Sequence, residues 1–244
     1  MALKNAFVAT SKNLLSRRWG GHTVGVADPY ITGYHFIRFD GMPPGLFEGE
    51  SADQATGSLT SGEASTILAA CCTGVTPPGG TLNKIEFTGL GGVKWAVPGN
   101  LDYGNSVSVK FTEMQGLPIT SIMHQWVKAI RDYRTGTTQV FDDNLDQGQG
   151  YSKKTYSSLL YYWTTAPDAK TIEYYACYDG VFPTKDPADL HASDIESIGK
   201  LDIEIEFNVD YAWHEKWVYD NCVKFHNDIS ASVDVIDGYG NKNK

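Results

Sequence analysis

The stretch from residue 201 to residue 211 alternates strictly between apolar and polar side chains, and it constrains the fold of this 244-residue chain more than any other feature. Its apolar members are Leu201, Ile203, Ile205, Phe207, Val209 and Tyr211, and its polar members are Asp202, Glu204, Glu206, Asn208 and Asp210. Because successive side chains of a β-strand point to opposite faces, this period of two predicts a strand with one face in the core and the other almost wholly acidic.

The acidic members of this strand are Asp202, Glu204, Glu206 and Asp210. A catalytic general acid needs a desolvated carboxyl, whereas a row of like charges normally needs water. Two interpretations therefore stay open, and neither is enzymatic. The plainer one is a solvated strand face that keeps the chain soluble, and the other is the wall of an aqueous channel.

Shorter β-rich runs occupy much of the remaining chain. Strands are predicted at residues 31–39, 66–72, 82–87, 93–97, 106–112, 151–163 and 170–178, with turns at 77–80, 89–92 and 98–100 and a corner at 180–184. Regular strands separated by Gly, Pro and Asn are typical of sandwiches and barrels. The sequence therefore predicts a mainly β fold of two packed β-sheets.

One segment changes the period from two to about 3.6 residues. Pro118 suits the first turn of a helix. Apolar side chains then recur at three- and four-residue steps, and they are Ile119, Ile122, Met123, Trp126 and Ile130. This stripe predicts a single core helix that ends before Gly136 and packs its apolar face on the sheets of its own chain or of a neighbouring copy.

The chain divides into three parts on composition. Residues 1–20 form a weakly amphipathic N-terminal arm, residues 21–213 form the β domain, and residues 214–244 form a C-terminal extension that begins with a short helix. Residues 40–65 are rich in Gly, Ser, Thr, Asp and Glu, so we expect an inserted, exposed loop there.

Charge and motifs exclude several classes of function. The formal net charge is -9, and the affinity of proteins for DNA comes chiefly from Lys and Arg, so a phosphate-gripping surface is not expected. Neither a Gly-x-Ser-x-Gly elbow nor a phosphate-binding loop motif occurs. The first residues are too polar for a signal peptide, and no stretch is apolar enough to cross a bilayer. We therefore predict a protein that is not an enzyme, is made in the cytosol and does not bind a membrane.

The cysteines and the candidate metal ligands predict neither a disulfide framework nor a metal or cofactor site. Cys71, Cys72, Cys177 and Cys222 are too few for such a framework, so we expect small buried hydrophobes. Asp142, Asn144 and Asp146 open an EF-hand-like loop, but the Gly and Glu that this loop requires are missing. His214, Cys222 and His226 lack a fourth zinc ligand.

Two blocks of sequence form a recognisable order. The first runs from residue 66 to residue 79, with Pro77-Pro78-Gly79 at its end, and continues through residues 93–99. The second contains Gly180-Val-Phe-Pro-Thr184, a polar spacer and the alternating strand, which ends in Asp210-Tyr-Ala-Trp213. In this order and spacing the chain resembles the tail tube proteins of contractile-tailed bacteriophages, which are related to the inner tubes of R-type pyocins and type VI secretion systems. Residues 40–65 and 214–244 have no counterpart in the short members.

The resemblance implies two packed sheets flanked by one helix, and subunits joined in stacked hexameric rings. Strands of neighbouring subunits would complete a continuous β-barrel around a lumen, through which phage DNA passes into the host without specific binding. The implied partners are the tail sheath, tape measure, baseplate and tail terminator proteins, in a virion assembled in the host cytoplasm. In such a tube the acidic members of residues 201–211 are expected to face the lumen. One of the four thiols is expected at a subunit boundary, where it can oxidise outside the cell.

Other classes of function stay open at this point. Tyr161, Tyr162, Trp163, Tyr174 and Tyr175 could line a sugar groove, so a carbohydrate-binding or adhesion module is the strongest rival. Clustered tyrosines in adjacent strands are more often core or interface. A β-sandwich hydrolase is a weaker rival, because no nucleophile and base can be named.

Overall fold

The computed structural model describes residues 15–19, 22–26, 33–43, 60–131, 136, 153–187 and 200–237. Eleven strands and three helices lie within these ranges. The strands are β1 (Leu15–Trp19), β2 (His22–Val26), β3 (His35–Asp40), β4 (Cys72–Thr76), β5 (Gly80–Thr88), β6 (Lys94–Tyr103), β7 (Ser106–Thr112), β8 (Ser158–Thr165), β9 (Ile172–Pro183), β10 (Asp202–Asn208) and β11 (Tyr211–Trp213). The helices are α1 (Ser61–Cys71), α2 (Pro118–Ile130) and α3 (Lys216–Asp237).

Seven strands form the main sheet, in the order β3-β8-β9-β10-β7-β4 with β11 also paired to β9. Strand β9 pairs with two different strands on one side. It pairs with β10 only through Phe182 and Pro183, and with β11 through residues 177–179. The β1-β2 and β5-β6 pairs are separate two-stranded sheets. The prediction of a mainly β, sandwich-like fold is confirmed. The described part of one chain closes no barrel by itself.

The chain falls into two compact units. One unit contains residues 1–36, 162–176 and 214–244, and the other contains residues 37–161 and 177–213. Strands β3, β8 and β9 therefore contribute residues to both units.

The core of the larger unit lies beneath β7 and β10, which pair antiparallel along their whole length. The inner face of β10 carries Ile203, Ile205 and Phe207, all of which are buried. Opposite them on β7 lie Phe111, Val109 and Val107. These side chains meet on one face because directly opposed residues of antiparallel strands point the same way.

The predicted core helix is confirmed as α2. Its side chains Ile119, Ile122, Met123 and Trp126 are fully buried, while Ile130 at the last turn is half-buried. The Trp126 ring lies 6.0 Å from the Phe39 ring and 6.2 Å from the Phe207 ring, and its indole Nε1 donates to the carbonyl of Tyr156 at 2.7 Å. The aromatic cluster thus fixes the helix against the sheet, and the buried indole N–H finds a partner.

The prediction of a strand at residues 66–72 is wrong, because residues 61–71 form α1, a helix that was not predicted from the sequence. Thr60 and Glu63 make a capping box: the Thr60 hydroxyl accepts from the Glu63 amide, and the Glu63 carboxylate accepts from the Thr60 amide at 2.8 Å. Capping satisfies backbone donors that the first helical turn leaves free, which outweighs the β preference of Thr66 and Ile67. Of the predicted 40–65 loop, residues 44–59 lie outside the described residues.

The short helix predicted in the C-terminal extension is instead a 22-residue helix, α3. In the smaller unit, the Phe36 ring stacks on Trp163 at 5.6 Å and meets the edge of His226 at 5.2 Å. His226 Nε2 lies 2.9 Å from the carbonyl of Ala169. Aromatic packing and this hydrogen bond hold α3 in its unit. Of the predicted N-terminal arm, only residues 15–19 are described, and they form β1.

Two predicted breaks in the chain are also wrong. The corner at residues 180–184 begins inside β9, which continues to Pro183 with Gly180 at a φ of +69°. The turn at residues 98–100 is a bulge within β6. In both places Gly lets a strand bend without ending, because it adopts positive φ or a close backbone approach at little steric cost. The turn predicted at residues 89–92 is confirmed and joins β5 to β6.

Candidate functional site

The outer side of β7 and β10 is a continuous polar surface. On β10 it carries Asp202, Glu204 and Glu206, which are all exposed. On β7 the directly opposed residues are Thr112, Lys110 and Ser108. We call these six residues the polar face. The period-two pattern builds it, because each polar residue alternates with a buried apolar one.

Two of the three carboxylates on the polar face are hydrogen-bonded and ion-paired. Ser108 Oγ donates to Glu204 Oε1 at 2.6 Å, and Lys110 Nζ lies 3.4 Å from Glu204 Oε2. The Ser108 hydrogen bond, with help from Lys110, holds the pKa of Glu204 below its ordinary value. Asp202 accepts from Thr112 Oγ1 at 2.9 Å and from Lys200 Nζ at 2.9 Å, and these bonds, Lys200 first, lower the pKa of Asp202. Both groups are therefore ionised at neutral pH.

These lysines change the charge expected from the sequence. The carboxylates of Asp202, Glu204 and Glu206 carry a charge of -3. Lys110 and the adjoining Lys200 contribute +2, which leaves a net charge of -1. The polar face is therefore mildly negative and rich in hydrogen-bonding groups, not a bare row of carboxylates. Exposed ion pairs contribute little to stability, so this arrangement mainly sets the surface potential.

Asp210 lies apart from the other acidic candidates, beyond the end of β10. Its Oδ1 atom lies 2.5 Å from Lys153 Nζ and 3.1 Å from Asn208 Nδ2. The hydrogen bond from Lys153 is the main cause of a lowered pKa for Asp210. The carboxylate also covers Gly180, where a Cβ atom would overlap it. Asp210 thus fastens the bend between β10 and β11 to β9.

A cleft of about 310 Å³ borders the polar face. Ser108, Glu204 and Glu206 line one side of it, and residues 185–187 line the other. Asp186 Oδ2 in this wall lies 2.7 Å from His124 Nδ1 on α2. Within the described ranges, no three His, Cys, Asp or Glu side chains are grouped so that they could hold a metal ion.

A second surface was not expected from the sequence: the hairpin of β5 and β6, residues 80–103. Nearly all of its residues are exposed, including Leu82 at 58% and Trp95 at 54%. Of the fourteen large apolar side chains that are exposed in the described part of the chain, eight lie here. They are Leu82, Ile85, Phe87, Val93, Trp95, Val97, Leu101 and Tyr103. Such a concentration of exposed apolar surface marks an interaction site.

None of the four cysteines forms a disulfide, and three of them, Cys71, Cys177 and Cys222, are buried. Cys72 is half-buried and lies on β4 at the edge of the main sheet. Burial raises the pKa of Cys72 to about 11 and that of Cys177 to about 12. Because the thiolate is the reactive form, both groups are slow to oxidise at neutral pH.

The residues proposed for rival functions are dispersed or buried. Tyr161, Tyr162 and Trp163 are buried, so β8 offers no exposed aromatic row for a sugar. Tyr174 is the exposed member of the set, and Tyr175 is half-buried. His214 Nδ1 lies 3.1 Å from the carbonyl of Tyr175, so this histidine already has a protein partner. Asp142, Asn144 and Asp146 lie outside the described residues.

No family model matches the chain, and no curated protein matches it. Solved structures with a similar fold include the cap that terminates the tube of the anti-feeding prophage, with 12% identity, a TM-score of 0.45, and coverage of 81% of this chain and 97% of that one. The PVC sheath/tube terminator of an extracellular contractile injection system has 12% identity, a TM-score of 0.46, and coverage of 77% and 97%. A chain of the PVC sheath-tube complex has 12% identity, a TM-score of 0.44, and coverage of 77% and 92%.

The residues that sequence reasoning missed lie on strands next to the alternating one. Lys110, Ser108 and Thr112 alternate with Val107, Val109 and Phe111, and this period of two was visible in residues 106–112. What the sequence did not show was the register that sets Lys110 opposite Glu204.

Within the described residues, no helix is long and apolar enough to span a membrane.

Proposed function

We propose that this chain is a structural subunit of a phage tail tube, which assembles with copies of itself and catalyses no reaction. The copies form stacked hexameric rings whose lumen conducts DNA during ejection. The polar face lines this lumen. In this proposal the tube functions in a virion, with the tail sheath, tape measure, baseplate and tail terminator proteins as its neighbours.

The observation that carries the proposal is the position of the polar face at an open sheet edge. Strand β4 lies next to β7 and ends the sheet, and no described strand pairs with its outer side. Its five residues carry no charge and no proline, two of the devices that usually protect an edge strand, and its one irregularity is a register shift between Cys72 and Gly74. A strand from a second copy can extend the sheet there, and repetition around a ring removes every edge. The polar face then continues from copy to copy.

The chemistry of the polar face suits a conduit for DNA. Its hydroxyl groups and ion-paired carboxylates keep water at the wall. Its three carboxylates, taken together with Lys110 and the adjoining Lys200, carry a net charge of -1, which is weakly repulsive to phosphates within about 8 Å, the Debye length at physiological salt. A basic wall would instead release counterions at every phosphate contact and retain the DNA. The surface therefore favours passage over binding.

The first test is the assembly state of the purified full-length protein. Negative-stain microscopy and sedimentation should show rings or hollow rods of uniform diameter. A protein that remains monomeric across concentrations up to the millimolar range contradicts the proposal.

The second test places positive charge on the polar face. In phage particles, Glu204→Lys combined with Glu206→Lys should leave tubes that assemble but eject DNA slowly or incompletely. The matched control is Glu173→Lys, an exposed glutamate on β9 outside the polar face. Ejection at the wild-type rate by the double variant would show that the polar face is not the lumenal wall.

A further inference from the structure

The β5-β6 hairpin has two apolar patches, and they lie on opposite sides of it. Near its base, Leu82 is opposite Leu101, and Tyr103 follows on the same side. Near its tip, Ile85 is opposite Val97 and Phe87 is opposite Trp95. Ile85 comes three positions after Leu82 in β5. Because successive side chains of a strand point to opposite sides, an odd offset places these two side chains on opposite sides of the hairpin. We call these sets the base patch (Leu82, Leu101, Tyr103) and the tip patch (Ile85, Phe87, Trp95, Val97).

A β-bulge in β6 makes its apolar side chains change sides at the same point as those of β5. The apolar residues of β6 are all at odd positions, so a regular strand would place them on one side. The register shifts between Leu82 and Lys84, and the extra residue of β6 moves the base patch to the other side. At Gly99 an added Cβ would lie 3.1 Å from the Asn83 carbonyl oxygen, which shows how closely the strands approach at the bulge. The change of side is therefore built into the backbone.

Each patch faces polar residues across the thickness of the hairpin. Behind the tip patch lie Lys84, Glu86 and Thr88, and behind the base patch lie Thr81 and Asp102. A single flat partner can therefore cover one patch but not both. An isolated two-stranded hairpin is at best marginally stable in water, so covering either patch would stabilise this one.

The exposed area fits two small contacts. A half-exposed large apolar or aromatic side chain presents roughly 100 Å², so the seven side chains of the two patches present about 700 Å². This total is close to the ~800 Å² that each partner contributes to a standard interface, whereas each patch alone is well below it.

The charges of the hairpin favour a second copy as the occupant. Residues 80–103 carry Lys84, Lys94, Glu86 and Asp102, so their net charge is zero in a chain whose net charge is -9. Lys84 Nζ lies 2.6 Å from Glu86 Oε1, so these two charges neutralise each other within the hairpin. Copies that repel each other elsewhere can approach at this neutral apolar surface. A ring that also stacks gives each subunit copies on more than one side.

We propose that the hairpin is held between two other copies of this chain, one contacting the base patch and the other contacting the tip patch. This inference rests on the proposed function, because a stacked assembly of copies supplies two partners in different orientations. It assigns the hairpin the role of a link between three subunits. Loss of one patch should leave the contact at the other patch in place.

The test uses the full-length protein and three double variants. Leu82→Ser with Leu101→Ser removes the base patch, Phe87→Ser with Trp95→Ser removes the tip patch, and Thr81→Ser with Asn83→Ser is the control on the polar side of the base. The four side chains removed in the patch variants are apolar and exposed, and the two control side chains are polar and exposed. Assembly is measured by sedimentation and negative-stain microscopy, and circular dichroism with thermal melting checks the fold of each variant.

The base and tip variants should each stop at a smaller species than the wild type, and the two species should differ in size. The control should assemble as the wild type does, and a variant lacking both patches should form species no larger than those of either single-patch variant. If the wild type assembles and either patch variant assembles equally well, the two-copy inference fails while the proposed function stands. If the wild type itself stays monomeric, both fail.

Discussion

A single carboxylate outside the core helix begins that helix. Glu113 accepts hydrogen bonds from the amides of Ile119 at 3.1 Å and Thr120 at 2.9 Å, and from the Thr120 hydroxyl at 2.7 Å. The residue at the N-cap position, Leu117, has a φ of 55° and no capping side chain. Glu113 thus performs from a distance the role that Ser or Asp usually performs at the N-cap, and its negative charge suits the helix dipole.

Removing this carboxylate should weaken the fold without changing its shape. Glu113→Ala leaves the amides of Ile119 and Thr120 without their acceptor, so we expect the free energy of unfolding to fall by about 1–2 kcal/mol. Urea denaturation measures this loss, and Glu173→Ala is the control at an exposed site. An unchanged midpoint in the Glu113 variant would show that water replaces the carboxylate.

The raised pKa of Cys72 predicts how the thiol responds to pH. At pH 8 a thiol of pKa about 11 is thiolate about a hundredfold less often than one of pKa 9. Native protein should therefore react slowly with a thiol reagent, and urea should accelerate the reaction. As the pH rises, the Cys72 thiol ionises in the unfolded chain before it ionises in the folded one, because its pKa is about 9 when exposed and about 11 when folded. The stabilising effect of keeping this thiol neutral is therefore complete below pH 9 and is lost as the pH rises towards 11. Fast labelling of native Cys72 at pH 8 would contradict this.

Helix α2 owes its position to one indole more than to its helix propensity. Trp126→Ala removes the ring that contacts Phe39 and Phe207, so the unfolding free energy should fall by about 3–5 kcal/mol. Trp126→Phe keeps an aromatic ring but leaves the Tyr156 carbonyl without its donor, and a smaller loss of about 1–2 kcal/mol is expected. Thermal melting measures both. The control is Trp217→Ala, because Trp217 is 42% exposed on α3, and its melting temperature should stay near that of the wild type.

The elements also differ in how they depend on neighbours. Strand β10 is held on both sides, by β7 along its length and by the end of β9. Hairpin β5-β6 consists of strands that pair only with each other among the described strands. The first pattern is that of a core element. The second suits an element completed by other molecules, because a free hairpin gains little from its own contacts.

For the whole molecule, net charge opposes the association of copies. Each chain carries a formal net charge of -9, so two copies repel each other over distances comparable to the Debye length. Raising NaCl from about 0.05 M to about 0.5 M shortens this length from about 14 Å to about 4 Å and should increase the assembled fraction. Sedimentation at fixed protein concentration measures the change. Dissociation by salt would instead show that ion pairs between subunits hold the assembly together.

The sequence by itself determined the elements whose periodicity is strong. The alternation in residues 201–211 predicted β10 and its two faces, and the spacing from Ile119 to Trp126 predicted α2. Local rules suffice there, because a period of two or 3.6 over several turns leaves one way to bury the apolar set. They failed for α1, where a capping box overrode β-branched residues, and for β9, which continues through Gly180.

Only the tertiary structure decided which side chains share a surface. Lys110 reduces the charge of the polar face because the β7-β10 register places it opposite Glu204, although 94 residues separate the two in the chain. Likewise, apolar residues of β5 and β6 that read as ordinary core strands are exposed, because no other strand of the described chain pairs with them. Periodicity shows which face of a strand is apolar, but what covers that face depends on pairing between distant segments of the chain.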